Sequence, residues 1–212
     1  MSKLVEYKFL TQIKRTFLTM WNLPNQLTLL RIGMIPVFVI LYYLPWGWSH
    51  VASAAIFGLA ALTDWVDGYL ARKMGLETPF GAFLDPVADK LIVIVALIML
   101  LQANATIWFA LPTVVIIGRE VVISALREWM AERDLREEVA VSMIGKVKTW
   151  VQMAAIVFLL LAGKTFGAFA IIGYLGLYAS AGLALWSMWV YLKQAWPEMR
   201  GDKDSESEPT GD

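Results

Sequence analysis

Cysteine does not occur in the 212 residues, and histidine occurs once, as His50. Without thiols there is no disulfide, no thiolate metal site and no cysteine nucleophile. A single imidazole excludes a histidine-rich zinc centre. His50 itself follows Trp48 and Ser49 and precedes an apolar run, so it reads as a loop or interface residue. Charge is scarce as well: 17% of the residues are Asp, Glu, Lys or Arg, where a soluble domain carries about 25%. Those charges sum to zero, which leaves no global field for a nucleic-acid partner. No internal repeat divides the chain.

What the chain has in abundance is apolar surface, with 58% hydrophobic residues and a mean hydropathy of +0.60. A bilayer-crossing helix needs about 20 predominantly apolar residues. Six stretches qualify, at 27–46, 50–72, 80–103, 106–130, 142–163 and 167–192. Pro36 interrupts the first. Gly81 and Pro86 complicate the third, where Asp85-Pro86 is either a cap with a first-turn proline or a kink inside the helix. Lysine and arginine gather at one set of ends: Lys3, Lys8, Lys14 and Arg15, then Arg72 and Lys73, then Arg133, Arg136, Lys146 and Lys148, and last Lys193, Arg200 and Lys203. The opposite loops hold only Lys164. By the positive-inside rule both termini are cytoplasmic and the number of spans is even. Ala52-Ser53-Ala54 imitates a leader cleavage site, but more membrane sequence follows it, and no cleaved leader is expected.

Ahead of the first span, Leu10, Ile13, Phe17 and Met20 recur at helical spacing with Lys14 and Arg15 opposite, the pattern of an interfacial amphipathic helix. The end of the chain, RGDKDSESEPTGD, is too polar to bury and reads as a disordered acidic tail. The expected fold is therefore all-α: a polytopic integral membrane protein of six transmembrane helices at 25–195, an interfacial helix within 1–24, and a tail at 196–212.

Against this background four aspartates stand out: Asp64, Asp67, Asp85 and Asp89. An aspartate at the centre of a membrane helix costs ~2.5–3.5 kcal/mol on insertion scales. Asp64 and Asp67 share one helical face, as do Asp85 and Asp89 on the next span. A short turn joins the two spans, so the pairs meet near the cytoplasmic side. Four carboxylates crowded together cannot all ionise without cations. Hard oxygen donors suit Mg²⁺, Mn²⁺ or Ca²⁺, and carboxylates bridging two such ions serve in-line phosphoryl displacement. Gly68 and Gly81 clear space on the two faces, and Arg72 offers a guanidinium fork to a phosphate. The competing account is a set of interhelical salt bridges. The cations close by in sequence, Arg72, Lys73 and Lys90, are too few for it.

The spacing D-x-x-D-G-x-x-A-R, eight residues, then G-x-x-x-D-x-x-x-D occupies Asp64, Asp67, Gly68, Ala71, Arg72, Gly81, Asp85 and Asp89 without departure. It resembles the signature of the CDP-alcohol phosphotransferases, integral membrane enzymes of six spans. The resemblance implies two divalent cations, Mg²⁺ or Mn²⁺, held by Asp64, Asp67 and Asp85, with Asp89 bordering or completing the site. It implies Asp89 as the base for the acceptor hydroxyl. Gly68, Ala71, Arg72 and Gly81 would line the CDP moiety. A homodimer is implied too.

The second half of the chain bears on the acceptor. Arg119 and Arg127 fall on nearly one face of the fourth span, two turns apart, and Lys146 and Lys148 open the fifth. Such cations can hold an acceptor phosphate. Alternatively they mark the membrane boundary, or pair with Glu120 and Glu128, although sequence neighbours point about 100° apart on a helix. The strings TDWVDGYLARK, FGAFLDPVADK, REVVISALREWMAE, IGKVKT and NQLTLLRIGMIPVF resemble the bacterial phosphatidylglycerophosphate synthase branch of that family. This implies CDP-diacylglycerol as donor, glycerol 3-phosphate as acceptor, and a place in the bacterial cytoplasmic membrane with the site facing the cytoplasm. Asn25, Thr28 and Arg31 share a face of the first span and are candidates for nucleotide contact. A helix cap and a boundary arginine account for them as well. The rivals are another acceptor for the same chemistry, a prenyltransferase, and a cation transporter using intramembrane carboxylates.

Overall fold

The computed structural model describes residues 23–74, 78–132, 143–163, 165 and 167–200. Among them all regular structure is helical: α1 (Leu23–Tyr43), α2 (Ser49–Met74), α3 (Pro79–Ala103), α4 (Ile107–Glu132), α5 (Met143–Ala162) and α6 (Ala168–Arg200). Each lies on one of the six expected spans. Three contain segments long and apolar enough to cross a membrane, Asn25–Tyr43, Ile107–Ala131 and Ala168–Trp196. This is a helical membrane protein. The expected interfacial helix, within 1–24, precedes all but the start of α1 and lies outside the described residues, as does the tail from 201 onward. α6 itself runs past the expected boundary at 195, to Arg200, and up to that boundary Tyr191 and Ala195 are buried with Ile123, Leu126 and Met130 of α4.

The beginning of α3 overturns the reading of Asp85-Pro86 as a cap and leaves the one that puts Pro86 inside the helix. Thr78 is the cap and Pro79 the first helical residue: the Gly81 amide donates to Thr78 Oγ1 at 3.0 Å. A hydroxyl cap followed by proline satisfies an otherwise orphaned amide and presets the first φ. Pro86 is inside the helix, as are Pro36 in α1 and Pro112 in α4. Neighbouring helices make such interruptions tolerable in membranes.

The chain divides into two compact units. The first comprises the described residues up to Ala96 with Leu160–Gly163; the second comprises those of Leu97–Leu159 and from 165 onward. In the first, α1 packs along α2. Small residues on α2, Ser53, Ala54 and Ala60, are buried and permit close approach of backbones. Phe57 meets Phe38 with ring centroids 6.2 Å apart. His50 is an interface residue, as expected: its ring meets Tyr42 edge-on and fills the space beside Gly163, whose φ of +56° ends α5. In the second unit α4 packs along α6. Gly173 and Gly176 of α6 lie so close to α5 that an added Cβ would come within 2.6 Å of Leu159 Cγ and 2.8 Å of Ala155 Cβ, respectively. Outward-facing residues such as Val114, Val121, Leu175, Trp186 and Trp189 are large, apolar and exposed, as a lipid environment allows.

Candidate functional site

α1 presents a polar face inward. Asn25, Thr28 and Arg31 recur every three residues and all are buried. In an apolar helix such groups require partners, and α2 and α3 supply them. Asn25 Nδ2 donates to Thr78 Oγ1 at 3.0 Å, and Thr78 Oγ1 donates back to Asn25 Oδ1 at 3.2 Å. Thr28 Oγ1 donates to Asp85 Oδ1. Arg31 Nη1 lies 2.5 Å from Asp89 Oδ1 and 3.1 Å from Asp64 Oδ1. One nitrogen is thus shared by carboxylates from two helices.

Arg31 corrects the earlier count of cations near the aspartates. Arg72, Lys73 and Lys90 are close in sequence, whereas Arg31 is distant in sequence and becomes adjacent only when α1 packs. An ion-pair contribution to the cluster is therefore present. Its signal was the three-residue polar spacing on an apolar helix, which also fits a simple cap.

Gly81 has a role in packing. A Cβ there would stand 2.5 Å from Asn25 Oδ1, so hydrogen at this position lets α1 meet the start of α3. Asn25 and Thr28, candidates for nucleotide contact, both have protein partners. Asp67, Gly68, Ala71 and Arg72 hold their expected positions along α2, but their side chains lie outside the described residues.

The donor set fits a divalent cation in kind. Asp64, Asp85 and Asp89 offer only carboxylate oxygens, and Asp64 and Asp89 are 38% and 36% exposed at their side chains, within reach of an ion from water. Two of those oxygens already converge on a single positive atom. Among the described residues no group of three or more His, Cys, Asp or Glu side chains is gathered tightly enough to hold a metal.

A second charged cluster lies in the other unit. Glu120 receives two cations: Arg119 Nη1 at 3.2 Å and Lys148 Nζ. Arg119 Nη2 donates to Ser187 Oγ at 3.1 Å. The Arg119–Glu120 pair corrects the expectation that sequence neighbours pair awkwardly, since these long side chains swing through the 100° between their Cα–Cβ directions. Lys148 is 1% exposed, enclosed by protein. Arg127 Nη2 donates to the Tyr191 hydroxyl at 3.0 Å, and its guanidinium carbon stands 5.3 Å from the Tyr191 ring centroid. Lys146 is on α5, its side chain outside the described residues. Of the four cations expected to hold an acceptor, Arg119 and Lys148 are therefore brought together through Glu120. Arg119 Nε and Arg127 Nε are buried with no hydrogen-bond partner among the described residues, leaving donors of the type that anions take.

The sequence matches the family profile described as CDP-alcohol phosphatidyltransferase over residues 21–192. A relative from Pseudomonas fluorescens is 50% identical over 187 residues, 85% of this chain and 93% of that protein. One from Salmonella typhimurium is 48% identical over 182 residues, covering 86% of this chain and 97% of its own length. Another, from Escherichia coli, is 49% identical over 175 residues, covering 82% and 95%. All three carry the name CDP-diacylglycerol–glycerol-3-phosphate 3-phosphatidyltransferase.

Proposed function

The chain belongs to the CDP-alcohol phosphatidyltransferase family, and from that premise we propose that it transfers the phosphatidyl group of CDP-diacylglycerol to glycerol 3-phosphate, releasing CMP and phosphatidylglycerol phosphate. The names of relatives near 50% identity over most of the chain support both substrates. The structural observation that carries the chemistry is the convergence of Asp64 and Asp89, from separate helices, on one cationic atom.

Asp64, Asp67, Asp85 and Asp89 would hold two divalent cations, Mg²⁺ or Mn²⁺. When bound, these neutralise the donor pyrophosphate and the departing CMP. Gly68, Ala71, Arg72 and Gly81 flank the CDP moiety, and the hydrogen bonds of Asn25 and Thr28 fix the edge of α1 beside them. The primary hydroxyl of glycerol 3-phosphate attacks the β-phosphorus, a new O–P bond forms, and the bond to CMP breaks. Asp89 takes the hydroxyl proton, and its part-exposed carboxylate can pass that proton to water. Arg119, Arg127, Lys146 and Lys148 bind the acceptor's phosphate, with Glu120 offsetting part of their charge. The acyl chains of the donor remain in lipid. The distribution of Lys and Arg supports a cytoplasm-facing site in the bacterial inner membrane. Resemblance supports a homodimer.

The test is CMP release by the purified full-length protein in detergent, with CDP-diacylglycerol as donor and glycerol 3-phosphate as sole acceptor. Release that depends on both substrates is expected. Release with serine or inositol phosphate but not glycerol 3-phosphate would assign a different acceptor to the same chemistry.

A further inference from the structure

Arg31 has no part in the chemistry above, yet it is among the most deeply buried large side chains, at 1% exposure. A guanidinium in that setting is retained only with compensating negative charge. Its Nη1 is 2.5 Å from Asp89 Oδ1 and 3.1 Å from Asp64 Oδ1, two oxygens that the reading above assigns to divalent cations. A hard cation bound there would sit on the same oxygens, at M–O distances of about 2.0–2.6 Å. It would meet the guanidinium's like charge at close range. Ion and guanidinium therefore compete for those carboxylates in this arrangement.

We propose that Arg31 is the resident counter-charge of the metal-free site. It joins Asp64 on α2 to Asp89 on α3 while no divalent ion is present, and yields those oxygens when one binds. It is a positioning residue, and it sets how tightly the site takes metal. The carboxylates are thereby kept close and mutually compatible before loading, when their repulsion would otherwise separate them. The inference rests on the reading of Asp64 and Asp89 as metal ligands.

Mn²⁺ binding to the purified full-length protein, followed by electron paramagnetic resonance of the free ion, tests it. The proteins compared are the wild type, Arg31→Met, Arg31→Lys and Asp64→Asn, with thermal melting recorded in chelator and in Mn²⁺. Arg31→Met removes the charge and keeps most of the volume. It is expected to bind Mn²⁺ on the order of tenfold or more tighter than the wild type, to melt lower in chelator, and to recover more on adding Mn²⁺. Arg31→Lys retains the charge and is expected to stay near wild-type affinity. Recovery of Arg31→Met only from preparations containing Mn²⁺ supports the proposal equally. Equal or weaker Mn²⁺ affinity in a folded Arg31→Met protein overturns it. So does failure of that variant to fold even with Mn²⁺ while Arg31→Lys folds, because the metal would then not replace the guanidinium. Absence of Mn²⁺ binding in the wild type, with Asp64→Asn indistinguishable from it, removes the metal-site reading itself and the inference with it.

Discussion

Asp89 and Asp64 approach one nitrogen of Arg31, but the proposed reaction asks different things of them. Asp89→Asn keeps size and hydrogen-bonding reach and loses the proton acceptor. General-base removal is worth about 10²–10⁴-fold, so CMP release is expected to fall by that order while binding of CDP-diacylglycerol persists. Turnover near the wild-type level would dismiss Asp89 as the base. Arg119 belongs to a different step. Its removal leaves Glu120 paired with Lys148 and takes away a charged donor of about 1.5–3 kcal/mol. Arg119→Ala should therefore raise KM for glycerol 3-phosphate roughly 10- to 100-fold with a smaller effect on kcat. Initial-rate kinetics at saturating donor separate the two. At this scale the candidate site was partly legible. The aspartates announce themselves as charges in apolar runs. Ser187 and Tyr191 do not, because a lone polar group on an apolar helix acquires meaning only from what it touches; Arg31 shows in the polar spacing of its helix, but its partners do not.

Among the elements, the start of α3 and the α5–α6 seam depend on single small residues. Thr78 caps α3 and also exchanges hydrogen bonds with Asn25. Loss of a cap costs about 0.5–2 kcal/mol, so Thr78→Ala is expected to lower Tm in detergent, with Thr78→Ser restoring most of it. Gly173 has no room for a side chain beside Leu159, whereas Gly182 has nothing within 4 Å of an added Cβ. Gly173→Val should destabilise the fold by about 1–3 kcal/mol through overpacking. Gly182→Ala should be neutral or slightly stabilising, since alanine favours a helix more than glycine does. Parallel melting curves of the two variants check the contrast. Helix positions were legible because hydropathy over about 20 residues averages out local accidents. The ends were less so. Asp85-Pro86 offered a plausible cap, whereas the actual one, Thr78-Pro79, lies just before the apolar run that marks the span.

For the molecule as a whole, the described regular structure is helical, and a helix pairs its backbone groups largely within its own segment, so the fold has little need of metal to keep its secondary structure. Chelation is expected to abolish CMP release while leaving the helical circular dichroism signal in place, and added Mg²⁺ or Mn²⁺ should restore turnover. A collapse of helical signal on chelation would make the ions structural. The sequence by itself determined the membrane class, the six helices, the family signature and the pairing of aspartates on faces, because each follows from local hydropathy or from residue spacing along one helix. Tertiary structure decided which charges answer one another: Arg31 for Asp64 and Asp89, Glu120 for Arg119 and Lys148, Tyr191 for Arg127. Those partnerships span 58 residues for Arg31 and Asp89 and 28 for Lys148 and Glu120. The reason is physical: burial free energy is largely a property of each segment, whereas an ion pair exists only where packing brings two side-chain tips within a few ångströms.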